Sequence, residues 1–338
     1  MAIVTRPHGR LGLKFSELGL GGAPLGNLFA PVSDAEAMAA LESAWMAGVR
    51  TFDTAPLYGH GLSECRFGRF LRAKPRGDFL LSTKVGRLVE PAGEGATDPA
   101  YAVRGTRIVF DYSRDGAMRS LDASLKRLGL DRVDMVFIHD VGADTHGPAD
   151  QPRRYREALE GAWAALAELR SQGTIRGIGL GVNDWRVCVD FLRDADPDCF
   201  LLAGRYTLLE QEPLDPLLSE CTRRGVSVLI GGAFNSGILA IGARPGAMYD
   251  YGPAPAAVLA RVAAIEAIAK RHGVTLPAAA LQFPLAHPAV ASVLIGARSA
   301  AEVGASMAFL DARIDPALWV DLKREGLIAA NAPVPGAD

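Results

Sequence analysis

Residues Gly48–Glu64 read GVRTFDTAPLYGHGLSE. Val49–Phe52 is a short apolar run with β-formers around Thr51, and it turns polar at Asp53. Pro56, Gly59 and Gly61 then break regular structure, so the reading is a strand closing on Asp53 and a loop carrying Tyr58. Two later runs end in the same way: LLSTK runs into Lys84 and DMVFIH into His139. Asp53, Tyr58, Lys84 and His139 are therefore expected together at the C-terminal ends of three successive strands. Taken singly they say little, because an acid at a strand end is also a turn former. A loop tyrosine is equally a packed or solvated aromatic.

Outward from that stretch, strands and helices alternate about eight times. A small hairpin is expected near Arg10 and a first barrel strand ending near Gly22. Further strands read at Val49–Thr54, Phe79–Lys84, Val133–Ile138, Ile175–Val182, Cys199–Tyr206, Val226–Gly231 and Val290–Ile295. Helices read from Ser33 or Asp34 to Trp45 and over Ser63–Leu71, Asp115–Leu128, Arg153–Gln172, Asp184–Arg193 and Asp215–Arg224. Pro255–His272, Leu276–Ala286, Ala300–Leu310 and Pro316–Ile328 complete the set. Gly86–Arg114, with Pro91 and Pro99, reads as a long irregular loop on the Tyr58 rim, either substrate-side or disordered. No linker divides the chain. The expectation is one (β/α)8 barrel domain over 1–338, with an N-terminal β-hairpin and long loops at the C-terminal rim, where such barrels place their active sites.

Composition narrows the function classes. The 338 residues are 49% hydrophobic and 22% charged, with a net charge of −2, so no basic field invites nucleic acid or an acidic membrane. Cys65, Cys188, Cys199 and Cys221 have no paired or metal-ligand spacing, and the six histidines do not cluster. Free thiols, a reducing cytoplasmic setting and no metal site are expected. MAIVTRPHGRLG lacks the apolar run of a signal peptide, and no stretch of about 18 apolar residues suggests a membrane span. GLGLGG at Gly19 lacks the strand–turn–helix setting of a dinucleotide fingerprint, and there is no P-loop.

The four polar groups make chemical sense as a unit. A phenol, with a reference pKa of about 10, is a poor acid or base at neutral pH, and a nearby ammonium lowers that value. Tyr58 is expected to move a proton, Lys84 to tune it, Asp53 to hold Lys84, and His139 to orient a carbonyl or hydroxyl oxygen. With FDTAPLYG, STK and FIHD in that order, the chain resembles the aldo-keto reductases over nearly its whole length. The resemblance implies NAD or NADP as cofactor.

Cofactor positions follow from the same resemblance, each with a departure. In GIGLGVND, Gly181 stands where the family has a serine, and Asn183 is the candidate for the nicotinamide carboxamide or else a helix cap. In AGRYTLLEQE, Tyr206 either lines the site or packs the barrel. In LIGGAFNSGIL, Gly231 replaces an aromatic that stacks on nicotinamide. Asn235, Ser236 and Gly237 then offer backbone amides to pyrophosphate, or form a plain turn. In LIGARSAAEVGAS, Arg298 and Ser299 are candidates for adenosine or phosphate. Glu302 stands where NADP-dependent relatives carry Arg; there it repels a 2′-phosphate and favours NAD, or is only a solvated helix charge.

Within the family, GLGVNDW, GGAFNSGIL, YDYGPAP and ALQFPLAHPAVASVLIGARS resemble the sugar-oxidising branch of D-threo-aldose 1-dehydrogenases and L-fucose dehydrogenases. This implies a small-molecule sugar substrate of the L-fucose, D-arabinose or L-galactose type, oxidised at C1 to a lactone. Oxidation of pyridoxal or another alcohol, or aldehyde reduction, is the alternative enzyme reading. A nucleotide-binding regulatory subunit is the non-enzyme one. Oligomeric state is left open.

Overall fold

The computed structural model describes residues 3–93 and 95–336. The ends of the expected 1–338 span, and Glu94 in the expected loop, lie outside the described residues. The apolar runs become strands β1 (Leu18–Gly21), β2 (Thr51–Asp53), β3 (Leu80–Val85) and β4 (Met135–His139). β5 (Gly177–Val182), β6 (Cys199–Ala203), β7 (Ser227–Gly231) and β8 (Val290–Gly296) follow. All eight pair in parallel with their neighbours in chain order, and β8 pairs with β1 to close the barrel. Every residue of β3, β4, β5 and β7 is buried, as expected of strands covered on both faces.

Two apolar layers hold the barrel. Inside, Leu80, Met135, Phe137, Leu201, Leu229 and Leu294 meet Leu13 and Phe15 of the N-terminal hairpin, Thr5–His8 with Leu13–Ser16. The hairpin thereby stops the bottom of the barrel, and the interior is a packed core. Outside, a larger cluster joins the outward strand residues to the helices. Glycine is required at 179, because a Cβ there would stand 1.7 Å from the Cys199 carbonyl oxygen where β5 meets β6.

Helix starts follow the sequence closely. Ser33 caps Asp34–Met46 and completes a capping box with Glu36. Ser113 caps Arg114–Leu128, and left-handed Gly129 ends it. Two expectations need correction. Helix appears already at Ala143, breaks at Gly147, and continues through a π-helical stretch, Ala158–Trp163, to Ser171. Gly147 and the two prolines hid its first turns. The stretch after β3 is ordered: Arg87–Pro91 pairs antiparallel with Thr106–Phe110, and Thr97–Asp98 with Val103–Arg104. Its strands are too short, and too interrupted by Pro and Gly, to show a period in the sequence.

Candidate active site

Barrel register brings the expected four side chains together. Asp53 lies opposite Ser82, and Lys84 opposite Phe137, two positions before β4 ends in His139. The buried Lys84 ammonium donates to Asp53 Oδ2 at 2.6 Å, to the Thr54 carbonyl at 3.0 Å and to Tyr58 Oη at 3.1 Å. All three of its protons are used. Ser82 Oγ donates to the other Asp53 oxygen at 2.7 Å. Tyr58 sits in a turn that Gly26 backs so tightly that a Cβ there would come within 2.4 Å of the Tyr58 carbonyl carbon. The His139 ring stands edge-on to Tyr58, with centroids 6.0 Å apart.

The electrostatics correct one expectation. Burial pushes the Tyr58 phenol well above its ordinary value, and the Asp53 and Asp140 carboxylates push the same way. Lys84 does not leave a low-pKa phenol in the free protein, because Asp53 at 2.6 Å neutralises it and itself repels a phenolate. Burial also raises Asp53, against the opposing pull of Lys84 and Ser82. His139 is held well below the usual imidazole range by burial and by Arg87 and Lys84, so it is neutral at pH 7. The Asp140 carboxylate lies 3.3 Å from His139 Nε2 and is gripped by Arg87.

These groups floor a cleft with two lobes that share Ala23, Leu28, Tyr58, Asn183 and Arg205. One lobe spans about 870 Å³ including its mouth and is lined by Gly21, Gly22, Gly231, Gly232, Leu201 and Leu294. Its mostly apolar walls suit a planar ring. The other spans about 1260 Å³ including its mouth and is lined by Tyr101, His139, Asp140, Asp144 and Thr145.

The expected cofactor residues divide into three groups. Asn183 and Gly231 are on the wall. Asp184 caps the following helix, so Asn183 is not the cap; its amide donates to Tyr251 Oη at 3.3 Å. Asn235 and Ser236 also line the lobe, but the Asn235 side chain is spent on Thr207 and Gly204. The backbone amides of Asn235 and Gly237 donate to the Gly232 and Phe234 carbonyls, so they are not open to pyrophosphate as the sequence suggested. Tyr206 corrects another expectation. It is fully buried against Phe283 and His287, off the cleft wall, because β6 ends at Ala203 and the chain turns inward. Arg298, Ser299 and Glu302 lie just beyond wall residue Gly296, at the start of the helix Ala300–Asp311. Ser299 caps that helix. Glu302 accepts from the Arg298 amide at 2.8 Å and from its guanidinium at 2.8 and 3.1 Å. The carboxylate expected to stand alone is therefore paired.

Sequence reading missed Tyr101, Asp140, Asp144, Arg205, Asp250 and Tyr251. Four lie in stretches that the sequence singles out: Asp140 closes FIHD, Arg205 lies in AGRYTLLEQE, and Asp250 and Tyr251 lie in YDYGPAP. Asp140, Asp250 and Tyr251 have left-handed φ of 51°, 49° and 62°. Side chains are disfavoured there, and such strain gathers at functional sites. Asp250 pairs with Arg205, and Tyr251 meets Phe29 across the cleft mouth.

Comparison with known proteins agrees with this geometry. The Aldo/keto reductase family model matches residues 17–324. The chain is 44% identical to pyridoxal 4-dehydrogenase of Microbacterium luteolum, over 96% of this chain and 98% of that one. It is 38% identical to D-threo-aldose 1-dehydrogenase of a Pseudomonas species, over 94% and 96%. An aldo-keto reductase from Bacillus halodurans, in its holo form, superposes with a TM-score of 0.73 at 25% identity, over 98% of each chain.

Proposed function

The chain belongs to the aldo/keto reductase family and is an NAD(P)-dependent oxidoreductase, and from that premise we propose that it oxidises a cyclic hemiacetal to a lactone. The observation that carries the chemistry is the buried Tyr58–Lys84–Asp53 chain beside a neutral His139, at the meeting point of an apolar lobe and a more polar one. Aldoses close to hemiacetals on their own hydroxyl groups. Pyridoxal closes in the same way on its hydroxymethyl arm. The substrates named for both relatives thus present the same reacting carbon, with one hydroxyl, one hydrogen and one ring oxygen.

Tyr58 takes the hydroxyl proton as the C–H bond breaks and the C=O bond forms. When bound, the nicotinamide cofactor supplies the hydride acceptor. The neutral His139 ring orients the reacting oxygen from the side. Lys84 disperses the charge that develops on the phenolate, and Asp53 keeps Lys84 in place. Asp140, Asp144, Thr145 and Arg205 give the substrate lobe acceptors and a donor for ring hydroxyls, which supports a polyhydroxylated sugar. The 44% identity to a pyridoxal 4-dehydrogenase supports pyridoxal as the second reading.

Asn183 is the residue we assign to the carboxamide, with Gly231 leaving room for the ring. We favour NAD over NADP, because Glu302 occupies the Arg298 guanidinium that a 2′-phosphate would need. We read 1–338 as one catalytic domain. The free thiols Cys65, Cys188, Cys199 and Cys221 fit a reducing, cytoplasmic setting. Among the described residues no helix is long and apolar enough to cross a membrane. The test is turnover of L-fucose, D-arabinose, L-galactose and pyridoxal with NAD+ and with NADP+, with the product identified. A lactone from at least one is expected; turnover confined to open-chain alcohols or aldehydes overturns the reading.

A further inference from the structure

The three residues after Tyr58 share a left-handed backbone: Gly59 at φ 65°, His60 at 48° and Gly61 at 94°. Glycine enters that region freely, whereas a residue with a Cβ is disfavoured there. A histidine in the middle of such a run needs a compensating interaction from its side chain. The His60 imidazole is buried, with 3% of its side chain exposed, and both ring nitrogens are engaged. Nδ1 lies 2.7 Å from Thr106 Oγ1 and Nε2 lies 3.1 Å from Asp98 Oδ2. The two contacts hold the ring at both nitrogens, with Nε2 donating to the carboxylate.

Both partners belong to the hairpin stretch between Arg87 and Phe110. Thr106 opens its returning strand, and Asp98 lies in the short pair at its tip. Asp98 also accepts from the Ala100 amide at 3.0 Å with its other oxygen. The Ala100 carbonyl in turn accepts from the Phe29 amide at 3.2 Å. Ala100 and Tyr101 form part of the polar lobe wall, and the Tyr101 ring lies 6.5 Å from that of Tyr58, tilted by 31°. The hairpin tip is a short two-residue pairing at the surface, and such a pairing is not stable alone.

We infer that His60 is a positioning residue: by joining the Tyr58 turn to Asp98 and Thr106, it sets where Tyr101 stands against the substrate. The inference deepens the reading of the polar lobe as the hemiacetal site and rests on it. A substrate ring that packs against Tyr101 beside the Tyr58–His139 pair is gripped only when the tip is held. Loss of the clamp loosens substrate binding and leaves the Tyr58–Lys84–Asp53 bonds and the nucleotide lobe in place.

The test uses the full-length holoenzyme with His60→Asn, since asparagine tolerates left-handed backbone and its shorter amide does not reach both partners. Thr106→Val combined with Asp98→Ala removes the same contacts without touching the Tyr58 turn, and so remains informative if His60→Asn fails to fold. Each is expected to raise substrate KM about tenfold with kcat changed by less than about threefold. Nucleotide affinity by fluorescence titration is expected to stay the same, and amide protection over residues 97–106 to fall. Tyr101→Leu should raise KM similarly, and adding His60→Asn to it should raise KM little further. Unchanged KM and unchanged exchange overturn the inference. So does a joint fall in kcat, nucleotide affinity and melting temperature without a KM effect. Exchange and nucleotide titration need no substrate, so they decide the clamp even if the wild type turns over no hemiacetal, a result that would sink only the functional reading.

Discussion

Tyr58 is buried, with the Asp53 and Asp140 carboxylates near it, and this governs its pH behaviour. Oxidation needs the phenolate, which burial, Asp53 and Asp140 disfavour, so oxidative kcat/KM should rise with pH. Reduction uses the phenol and should fall over the same range. Tyr58→Phe removes the proton carrier and keeps the ring; turnover should drop about 10²–10⁴-fold with nucleotide affinity retained. Wild-type-like turnover would remove Tyr58 from the mechanism. Lys84→Met removes the ammonium that donates to Tyr58 Oη and takes the Lys84 partner from Asp53 beside it. The half-maximal pH for oxidation should then move up by about one unit or more. Adding Asp53→Asn should bring it part of the way back, since the repelling carboxylate goes too. A pH profile that ignores both changes would make Lys84 a packing residue.

At the scale of single elements, the helix Ala300–Asp311 shows how a loop sets a preference that its residues alone do not. Arg298 and Glu302 are one turn apart at its start, half exposed, and bound to each other. Exposed pairs are weak, commonly below about 1 kcal/mol, so a better partner for the guanidinium can displace Glu302. A 2′-phosphate is such a partner, and its cost is leaving Glu302 unpaired nearby. Glu302→Gln should release Arg298, and Glu302→Arg should add a second phosphate donor. The ratio of kcat/KM for NADP to that for NAD is expected to rise about three- to tenfold, and more for Arg than for Gln, at fixed ionic strength. An unchanged ratio in both variants would mean that this helix start does not meet the adenosine ribose.

For the molecule as a whole, His287 ties stability to pH. It is buried, its ring lies edge-on to Tyr206, and its Nδ1 accepts the Ala289 amide at 3.1 Å. Burial pushes its pKa down from 6.5 to about 4. The folded pKa is below the unfolded one, so protons bind the unfolded chain more tightly. The associated stability is complete above pH 6.5 and is lost as pH falls toward 4. The loss should be about 2–3 kcal/mol. Urea unfolding at pH 7 and pH 4.5 measures it, and His287→Gln should show a smaller difference between the two. An equal difference in both proteins would assign the pH dependence to other groups.

The barrel and its four central side chains were legible in the sequence because both are local in origin. Buried parallel strands write themselves as short apolar runs, and three of the runs here lead into the polar residues that the rim requires: Asp53, Lys84, His139. The start of the first helix at Ser33 or Asp34 is likewise local, and Ser33 is the cap. Tertiary structure alone decided what those groups experience. That Lys84 is neutralised by Asp53 at 2.6 Å, leaving Tyr58 raised rather than lowered, depends on distances across three strands and on burial. Tyr206 shows the same limit, since one early strand end turns it from the cleft to the core. The His60 clamp joins segments about forty residues apart, and the strand pairs beside Tyr101 and around Asp250–Tyr251 are only two residues long. Their residues carry no period, only the geometry that the closed barrel imposes on its rim.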